Sequence, residues 1–403
     1  SYDKLVLSPG AASVHPPLPG IDLPGIFHVR TVPDARTIRE WIEKGTTFLA
    51  GMSKNSGIQW VKPVSRAVGV GGGFICREKA ENLVHLGFNV TLIQKPDHVL
   101  SPLDPEIACL VQDHIKRHGV QVVANDGVVG FEQLDGGAIE VTDFVTGEQS
   151  LIALAGPANR LGRIAADVIC GRDSRYRGTQ GTSIIGLFGG AAAWTGVSEK
   201  TLKRRGDTDY EKIYLYPNSH AGYYPGAQMI GLKVLFRKSD GKLLGAQALG
   251  EDGPAVDKRI SALAAYLHMG ATIYDLEEAE LCYAPQFGSA KDPVNFAGMV
   301  AANVLRGDMP LSHWDSRNGA FLLDVRQPVE LVVESVPGAL NIPLPELRAR
   351  LGGLPRDREI HVICRSAQRA YYATRILLQN DFKAKNISGG MLSRAMRSLA
   401  ESK

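Results

Sequence analysis

Apolar positions run together over residues 64–70 and again over 89–93, and between them Phe74, Ile75, Ala80, Leu83 and Leu86 recur at helical spacing. Gly71-Gly72-Gly73 separates the first run from the helix, and Gly87 stops the helix. The pattern predicts strand, glycine turn, helix, strand: the βαβ unit of a dinucleotide-binding fold. Asp104 and Pro105 supply a cap and a first residue for another helix, closed at Gly119, and residues 120–124 read as a further strand. Upstream, residues 4–7 read as a short strand, Gly10 as a turn and 33–43 as a helix. Residues 44–63 have no clear period and read as a connector.

Residues 138–205 mix a hairpin, a helix starting near Pro157 and a Gly/Ala-rich stretch at 186–196. From about residue 212 the period changes. Alternating strands at 212–216, 232–237 and 243–249 precede two helices, 256–269 and 293–306, which predicts a separate α+β domain. Residues 311–318 read as a linker, and the segment 313–403 returns to alternating strands and helices. No internal repeat or low-complexity tract interrupts the chain.

Composition narrows the classes. With 403 residues, 44% of them hydrophobic and 22% charged, the chain has apolar material for several cores, and its length fits roughly three domains. A formal net charge of +3 points neither to nucleic acid nor to an acidic membrane surface as partner. No apolar run approaches the roughly 20 residues that span a bilayer, and no signal-peptide pattern opens the chain. Cys76, Cys109, Cys170, Cys282 and Cys364 are odd in number and scattered, which argues for a reducing cytoplasm over a disulfide framework. No metal-ligating cluster is read from the sequence. The chain starts at Ser1 and enters a strand-like stretch at once, so the natural N-terminus is expected upstream.

The glycine turn carries the first candidate chemistry. Gly71-Gly72-Gly73-Phe74-Ile75-Cys76 fits G-x-G-x-x-G except at its last position. Glycine at the first position makes the tight turn, and Gly73 lets the backbone approach a pyrophosphate at the helix N-terminus. Cys76 is larger than the small residue that lets helix and strand pack closely. The position that meets the ribose hydroxyls lies about 20 residues on, where Gln94 ends the second strand and Lys95 follows. An amide and a cation tolerate a 2′-phosphate better than a carboxylate does, which favours NADPH or dual use.

The second candidate is Cys364. A buried strand at 359–363 delivers it into Cys364-Arg365-Ser366-Ala367-Gln368-Arg369, ahead of a helix at 370–378. A cysteine between a strand end and a helix N-terminus is surrounded by backbone N–H groups and the positive end of the helix dipole. Those donors, with Arg365 or Arg369, favour the nucleophilic thiolate. The same cradle suits a persulfide or an incoming anion such as thiosulfate or polysulfide.

Phe321-Leu322-Leu323-Asp324-Val325-Arg326, Pro337-Gly338-Ala339-Leu340-Asn341-Ile342-Pro343, the Cys364 turn and Ser388-Gly389-Gly390 follow in an order that resembles the rhodanese family over 313–403. Two positions depart from it: Ala367 stands where the loop usually has glycine, and Glu334-Ser335 replaces the common Gly-His.

The remainder resembles the coenzyme A-disulfide reductase family of pyridine nucleotide-disulfide oxidoreductases, in members with a fused rhodanese domain. The likeness rests on Tyr2-Asp3-Lys4-Leu5-Val6-Leu7-Ser8-Pro9-Gly10-Ala11, the glycine turn with Glu78-Lys79-Ala80-Glu81-Asn82-Leu83, Leu154-Ala155-Gly156-Pro157-Ala158-Asn159-Arg160, and His220-Ala221-Gly222-Tyr223-Tyr224-Pro225-Gly226-Ala227. It implies an α/β flavoprotein disulfide reductase fold with two dinucleotide-binding domains. The FAD-binding parts would be 1–44 and 138–207, the NAD(P)-binding domain 45–137, an α+β dimerisation domain 208–312 and the rhodanese-like α/β domain 313–403. Ser8, Gly10, Ala11, Pro157 and Asn159 would line the FAD site. Gly71, Gly72, Gly73, Phe74, Ile75, Gln94 and Lys95 would hold NAD(P)H, with Glu78 near the nicotinamide. Tyr223 or Tyr224, with Tyr283, would reach across a homodimer interface to the partner's thiol site; ordinary interface packing is the plain alternative. The implied substrates are coenzyme A disulfide, coenzyme A persulfide or polysulfide.

The departures leave two readings. The family's opening glycine-rich βαβ for FAD and its helix with the redox cysteine do not precede Ser1. A strand-turn block ending in Gly-Asp-Ala is replaced near Leu134 to Ala138 by Gly136-Gly137-Ala138. Cys76, Cys109, Cys170 and Cys282 read as small buried apolar residues, not as replacement redox centres. If the missing pieces exist in the full polypeptide, the enzyme is a flavin-dependent NAD(P)H oxidoreductase whose Cys364 carries sulfane sulfur. If not, it is a flavin-free rhodanese sulfurtransferase on a degenerate dimerising scaffold. A plain NAD(P)H oxidase with an idle Cys364 is a third possibility.

Overall fold

The computed structural model describes residues 17–29, 31–53, 66–125, 128, 130–133, 139–142, 155–175, 179–316 and 319–401. The chain divides into two compact units, 1–101 with 114–179 and 102–113 with 180–403.

In the first unit, strands Arg66–Val70, Asn89–Gln94 and Gln121–Ala124 form a parallel sheet in that order. Helix Phe74–His85 makes the crossover between the first two. It ends where Gly87, at φ 86°, donates its N–H to the Val84 carbonyl while Phe88 N–H reaches the Leu83 carbonyl. That reversal needs a residue at ease in the left-handed region. The upstream helix runs over Val32–Ser53, past the expected end at residue 43. Lys44 and Gly45 look like a stop on propensity alone, which is a weak prior that the backbone overrides here. Strands Gly130–Gln133 and Ile139–Thr142 pair antiparallel, and helix Ala155–Ile169 follows with no buried residue. The Leu134 to Ala138 block lies outside the described residues.

The second unit holds two sheets. The first is antiparallel with five strands, in the order Ser183–Leu187, Gly190–Gly196, Leu243–Gly250, Gly231–Phe236, Glu211–Leu215. Its first two strands come from the Gly/Ala-rich stretch upstream of residue 208. Small residues there pair flat against Leu243–Gly250, for example Ala193 with Ala248. Helices Gly253–His268 and Pro293–Leu305 contribute Val256, Ile260, Leu263, Val294, Ala297 and Ala301 to one core with Val234, Phe236 and Ala248. Asp252 and Asp292 cap the two helices by accepting N–H bonds from Ala255 and Val294.

One charged group sits inside this layer. Lys233 is fully buried and donates to Asp104 at 2.9 Å and Glu199 at 2.7 Å, with Glu106 at 2.5 Å. Burial alone pulls its ammonium toward neutrality, but Tyr214 and the three carboxylates hold it well above its ordinary value. Asp104 also accepts N–H bonds from Glu199 and Lys200 and from the Gln247 amide. The acidic trio, close enough together to hold a metal ion, is occupied by the lysine.

The second sheet is parallel, in the order Leu311–Ser312, Ala384–Ile387, Ile360–Ile363, Phe321–Asp324, Leu340–Asn341. Its edge strand begins at Leu311, inside the stretch that reads as a linker, because Leu311 and Ser312 pair with Asn386 and Ile387. Leu323, Ile360, Val362, Cys364, Ala370, Ala373 and Leu377 share one core.

Candidate functional site

Strand Ile360–Ile363 is buried throughout and ends on Cys364, itself 1% exposed. The turn enters helix Gln368–Leu378 through Ala367, which sits in the left-handed region at φ 72°. Glycine is the residue at ease there, so the alanine carries strain. Ala370 N–H donates to Cys364 Sγ at 3.3 Å. Burial pushes the thiol up; the N–H groups of Ala370 and Ser366 and the Arg369 charge pull the other way without overcoming it. This departs from the thiolate preference expected of the turn: in the closed loop, desolvation outweighs the donors.

Arg369 points its guanidinium at Glu330, with two bonds of 2.6 and 2.7 Å. That pairing holds the Glu330 carboxyl down at about 2, first through the Arg369 hydrogen bond. Arg365 is exposed. The loop is held from behind as well. Met391 and Leu392 N–H groups donate to the Cys364 and Arg365 carbonyls. Gly390, at φ 57°, lies so close that a side chain there would strike the Arg365 carbonyl and the Ala367 nitrogen. Asn386 donates through Nδ2 to the Ala367 carbonyl at 3.1 Å. Below the turn, buried Arg326 pairs with Asp324 at 2.7 Å. Glu334, in the departing Glu334-Ser335 pair, meets Arg394 at 3.0 Å. Glu330 and Asn386 escape a reading of the sequence because each meets the turn from a distant segment.

In the glycine turn, Gly71 adopts φ 98°, and a side chain at Gly71 or Gly73 would meet open space. Such space is what close approach of a phosphate requires. Gly72 is different: its N–H donates to Gln94 Oε1, and Gln94 Nε2 donates to the His98 carbonyl at 2.9 Å. Gln94 is thus buried against the turn, not extended toward a ribose. Arg77, also buried, donates to the Gly72 carbonyl, while its Nε and Nη1 have no partner among the described residues. Burial pulls its guanidinium down to about 9. Phe74 is half-buried, Glu78 and Lys95 are exposed, and the Ile75 side chain lies outside the described residues. Cys76 is half-buried, its thiol donating to the Val70 carbonyl at 3.1 Å.

Pro157 is half-buried and Asn159 exposed at the start of helix Ala155–Ile169, whereas Ser8, Gly10 and Ala11 lie outside the described residues. Tyr223, Tyr224 and Tyr283 are exposed, with the Tyr223 and Tyr283 hydroxyls 2.9 Å apart and Phe287 exposed as well. Tyr224 packs edge-on against His220. Two cysteines correct the expectation of burial. Cys109 is buried, but Cys170 and Cys282 are exposed: Cys170 follows a helix whose apolar Val168 and Ile169 are themselves exposed, and Cys282 lies in a loop.

The fold and these turns define a two-part enzyme, and comparison with known proteins names its family. Residues 1–170 match the pyridine nucleotide-disulphide oxidoreductase model, 187–292 the dimerisation domain of the same enzymes, and 311–393 the rhodanese-like domain. The structure of reduced Bacillus anthracis CoADR-RHD is 36% identical and superposes with a TM-score of 0.86, covering 98% of this chain and 79% of that one. A NAD-dependent persulfide reductase from A. fulgidus is 29% identical, with a TM-score of 0.79 over 96% of this chain and 78% of the other. An NAD(P)H sulfur oxidoreductase (CoA-dependent) from Pyrococcus furiosus is 28% identical over 364 residues, 76% of this chain and 77% of that protein. The chain belongs to the pyridine nucleotide-disulphide oxidoreductases and carries a C-terminal rhodanese-like domain. Among the described residues, no helix is long and apolar enough to cross a membrane.

Proposed function

We propose that this chain is an NAD(P)H-dependent oxidoreductase that reduces coenzyme A persulfide, coenzyme A disulfide or polysulfide, with Cys364 carrying sulfane sulfur for the same reaction. The carrying observation is the strapped Cys364 turn within a chain of this reductase family.

The described residues fit a pyridine dinucleotide: open space at Gly71 and Gly73 admits a pyrophosphate. When bound, NAD(P)H and FAD supply hydride and electron transfer. Gln94 holds the Gly72 N–H until a phosphate takes its place, and Lys95 beside it favours NADPH or dual use. Cys364 attacks the terminal sulfur of a persulfide or polysulfide as thiolate; the old S–S bond breaks with its electron pair on the departing thiolate or shortened polysulfide, and the Ala370 and Ser366 N–H groups hold the transferred sulfur. Arg369 gives the turn positive charge, tempered by Glu330. Thiosulfate is a further donor of the same charge and size class.

The exposed Tyr223, Tyr283 and Phe287 belong to a homodimer contact, with the tyrosine hydroxyls presented to the partner's thiol site. Cysteines exposed at 170 and 282 suit a reducing cytoplasm. The flavin-free alternative is not favoured: likeness to the Bacillus anthracis structure covers 98% of this chain.

The test is NAD(P)H consumption by the purified protein, read beside its visible spectrum. A flavin band with NAD(P)H oxidised on addition of coenzyme A persulfide is the expected result. A colourless protein that transfers sulfur but oxidises no NAD(P)H would overturn the reductase half.

A further inference from the structure

Behind the Cys364 turn, and apart from the thiol itself, lies a cavity of about 640 Å³, inside the range of about 300–1,000 Å³ that small-molecule sites occupy. One wall is residues 366–368 with Tyr371 from the helix that follows, and Cys364 is not part of the lining. The other wall belongs to the antiparallel-sheet domain: Tyr216 just past a strand end, and Lys291, Phe296 and Met299 from helix Pro293–Leu305 and its approach. The walls are joined where Tyr214 N–H donates to Ser388 Oγ at 3.2 Å and Gly389 leaves no space for a side chain beside Tyr214.

The charge of the lining is unbalanced. Lys291 is exposed and stands over the Phe296 ring, its Nζ 5.5 Å from the centroid. Asp292 beside it is held by Arg259 at 2.9 Å and Lys258 at 3.7 Å. Glu277, the acidic group of the lining, is bound by Arg306 at 2.9 Å. Lys291 is thus left without a carboxylate among the described residues. Tyr216, Phe296 and Tyr371 supply aromatic surface against which a flat ring packs, and Met299 adapts to its outline. A cation beside an aromatic wall selects a ring that carries an anionic group.

The loop that forms the first wall is under strain. Ala367 sits at φ 72°, and its carbonyl is held by the Asn386 amide at 3.1 Å. A left-handed alanine costs about 1–2 kcal/mol, which contacts around the loop must outweigh. A ligand packed on residues 366–368 binds this loop conformation better than a shifted one, and that differential affinity is what biases an equilibrium.

We propose that this cavity is an effector site for a planar aromatic anion, a ring system bearing one carboxylate or phosphate, and that its occupant holds the 366–368 loop as it stands, with Cys364 buried. The effector takes no part in chemistry at sulfur, and the proposal is independent of what Cys364 carries.

The experiment uses the full chain, with naphthoate as the probe and naphthamide as its uncharged counterpart. Calorimetry reads binding, and peptide mass reads the rate at which iodoacetamide alkylates Cys364. Naphthoate binds roughly fivefold tighter than naphthamide, the worth of one exposed ion pair. At saturation it slows alkylation of Cys364 about fivefold, the equivalent of about 1 kcal/mol. Lys291→Met, an exposed substitution, makes the acid and the amide bind alike, and Met299→Trp, which fills the cavity, removes the binding of both. Naphthoate affinity unchanged in both variants places the probe elsewhere and overturns the proposal. Binding that both variants weaken, but that leaves the alkylation rate unaltered, overturns the effector role. A protein that binds neither compound overturns the site itself.

Discussion

The Cys364 turn and the glycine turn at 71–73 both carry a parallel strand into the N-terminus of a helix, and both need one residue at positive φ, Ala367 at 72° and Gly71 at 98°. They differ in what occupies the turn. Around Cys364 most ties come from fixed backbone, Met391 and Leu392 N–H groups on two carbonyls and Ala370 N–H on the sulfur, with the Asn386 amide on the Ala367 carbonyl beside them. Around Gly72 the N–H is tied by the side-chain amide of Gln94, while the carbonyl accepts from Leu100 N–H at 3.2 Å and from Arg77. A backbone strap makes a site rigid before substrate arrives, which suits a nucleophile that must not wander. A side-chain strap can swing aside for about 1 kcal/mol, the net worth of one hydrogen bond, which suits a cofactor that comes and goes. The lesson is that one supersecondary plan serves either chemistry, and the neighbouring ties decide which.

The largest effect that sharpens the contrast is loss of the nucleophile. Cys364→Ser lowers sulfur transfer to cyanide by about a thousandfold or more, with flavin content unchanged. Retained transfer in a steady-state assay would assign the nucleophile elsewhere. Next is Gly71→Val. A β-branched residue at φ 98° costs about 1–3 kcal/mol, and KM for NAD(P)H rises by roughly five- to a hundredfold while cyanide transfer is untouched. If both activities fall together, the two turns are not independent.

Smaller changes probe the ties. Glu330→Gln frees the Arg369 charge, so alkylation of Cys364 by iodoacetamide shifts to lower pH and KM for thiosulfate falls. Glu330, held at about 2 by Arg369, contributes above the ordinary glutamate range, and that contribution is lost as pH falls toward about 2. Cys364 behaves oppositely. Burial lets the folded chain keep the thiol proton to higher pH, so its contribution is full below the unfolded thiol's value and is lost as pH rises through the folded one. Gln94→Ala leaves the Gly72 N–H open and lowers KM for NAD(P)H by a factor of about five. The smallest effect is Ala367→Gly, which relieves about 1 kcal/mol of left-handed strain and raises the midpoint of thermal unfolding.

Much of this was legible along the chain because both turns are local. The glycine triplet between a strand and a helix, and Cys364 between another such pair, are contiguous patterns, and Ala367 stands where a positive φ is needed. What stayed hidden was non-local. Glu330 meets Arg369 across 39 residues, and Asn386 meets Ala367 across 19. The direction of Gln94 depends on whether its amide finds a backbone partner nearer than a ribose, which strand periodicity does not encode. The strand Gly190–Gly196 was hidden by its small residues, whose partners on Leu243–Gly250 and Ser183–Leu187 appear only once the sheet closes.

The central claim is that Cys364 holds sulfur in a turn made ready for it. Intact-mass measurement of the protein after brief exposure to polysulfide tests this most directly, beside the Cys364→Ser variant. The account predicts a gain of one sulfur atom that cyanide removes, present in the unsubstituted protein and missing from the variant. An equal, cyanide-labile gain in the variant would contradict it and place the sulfur on another cysteine.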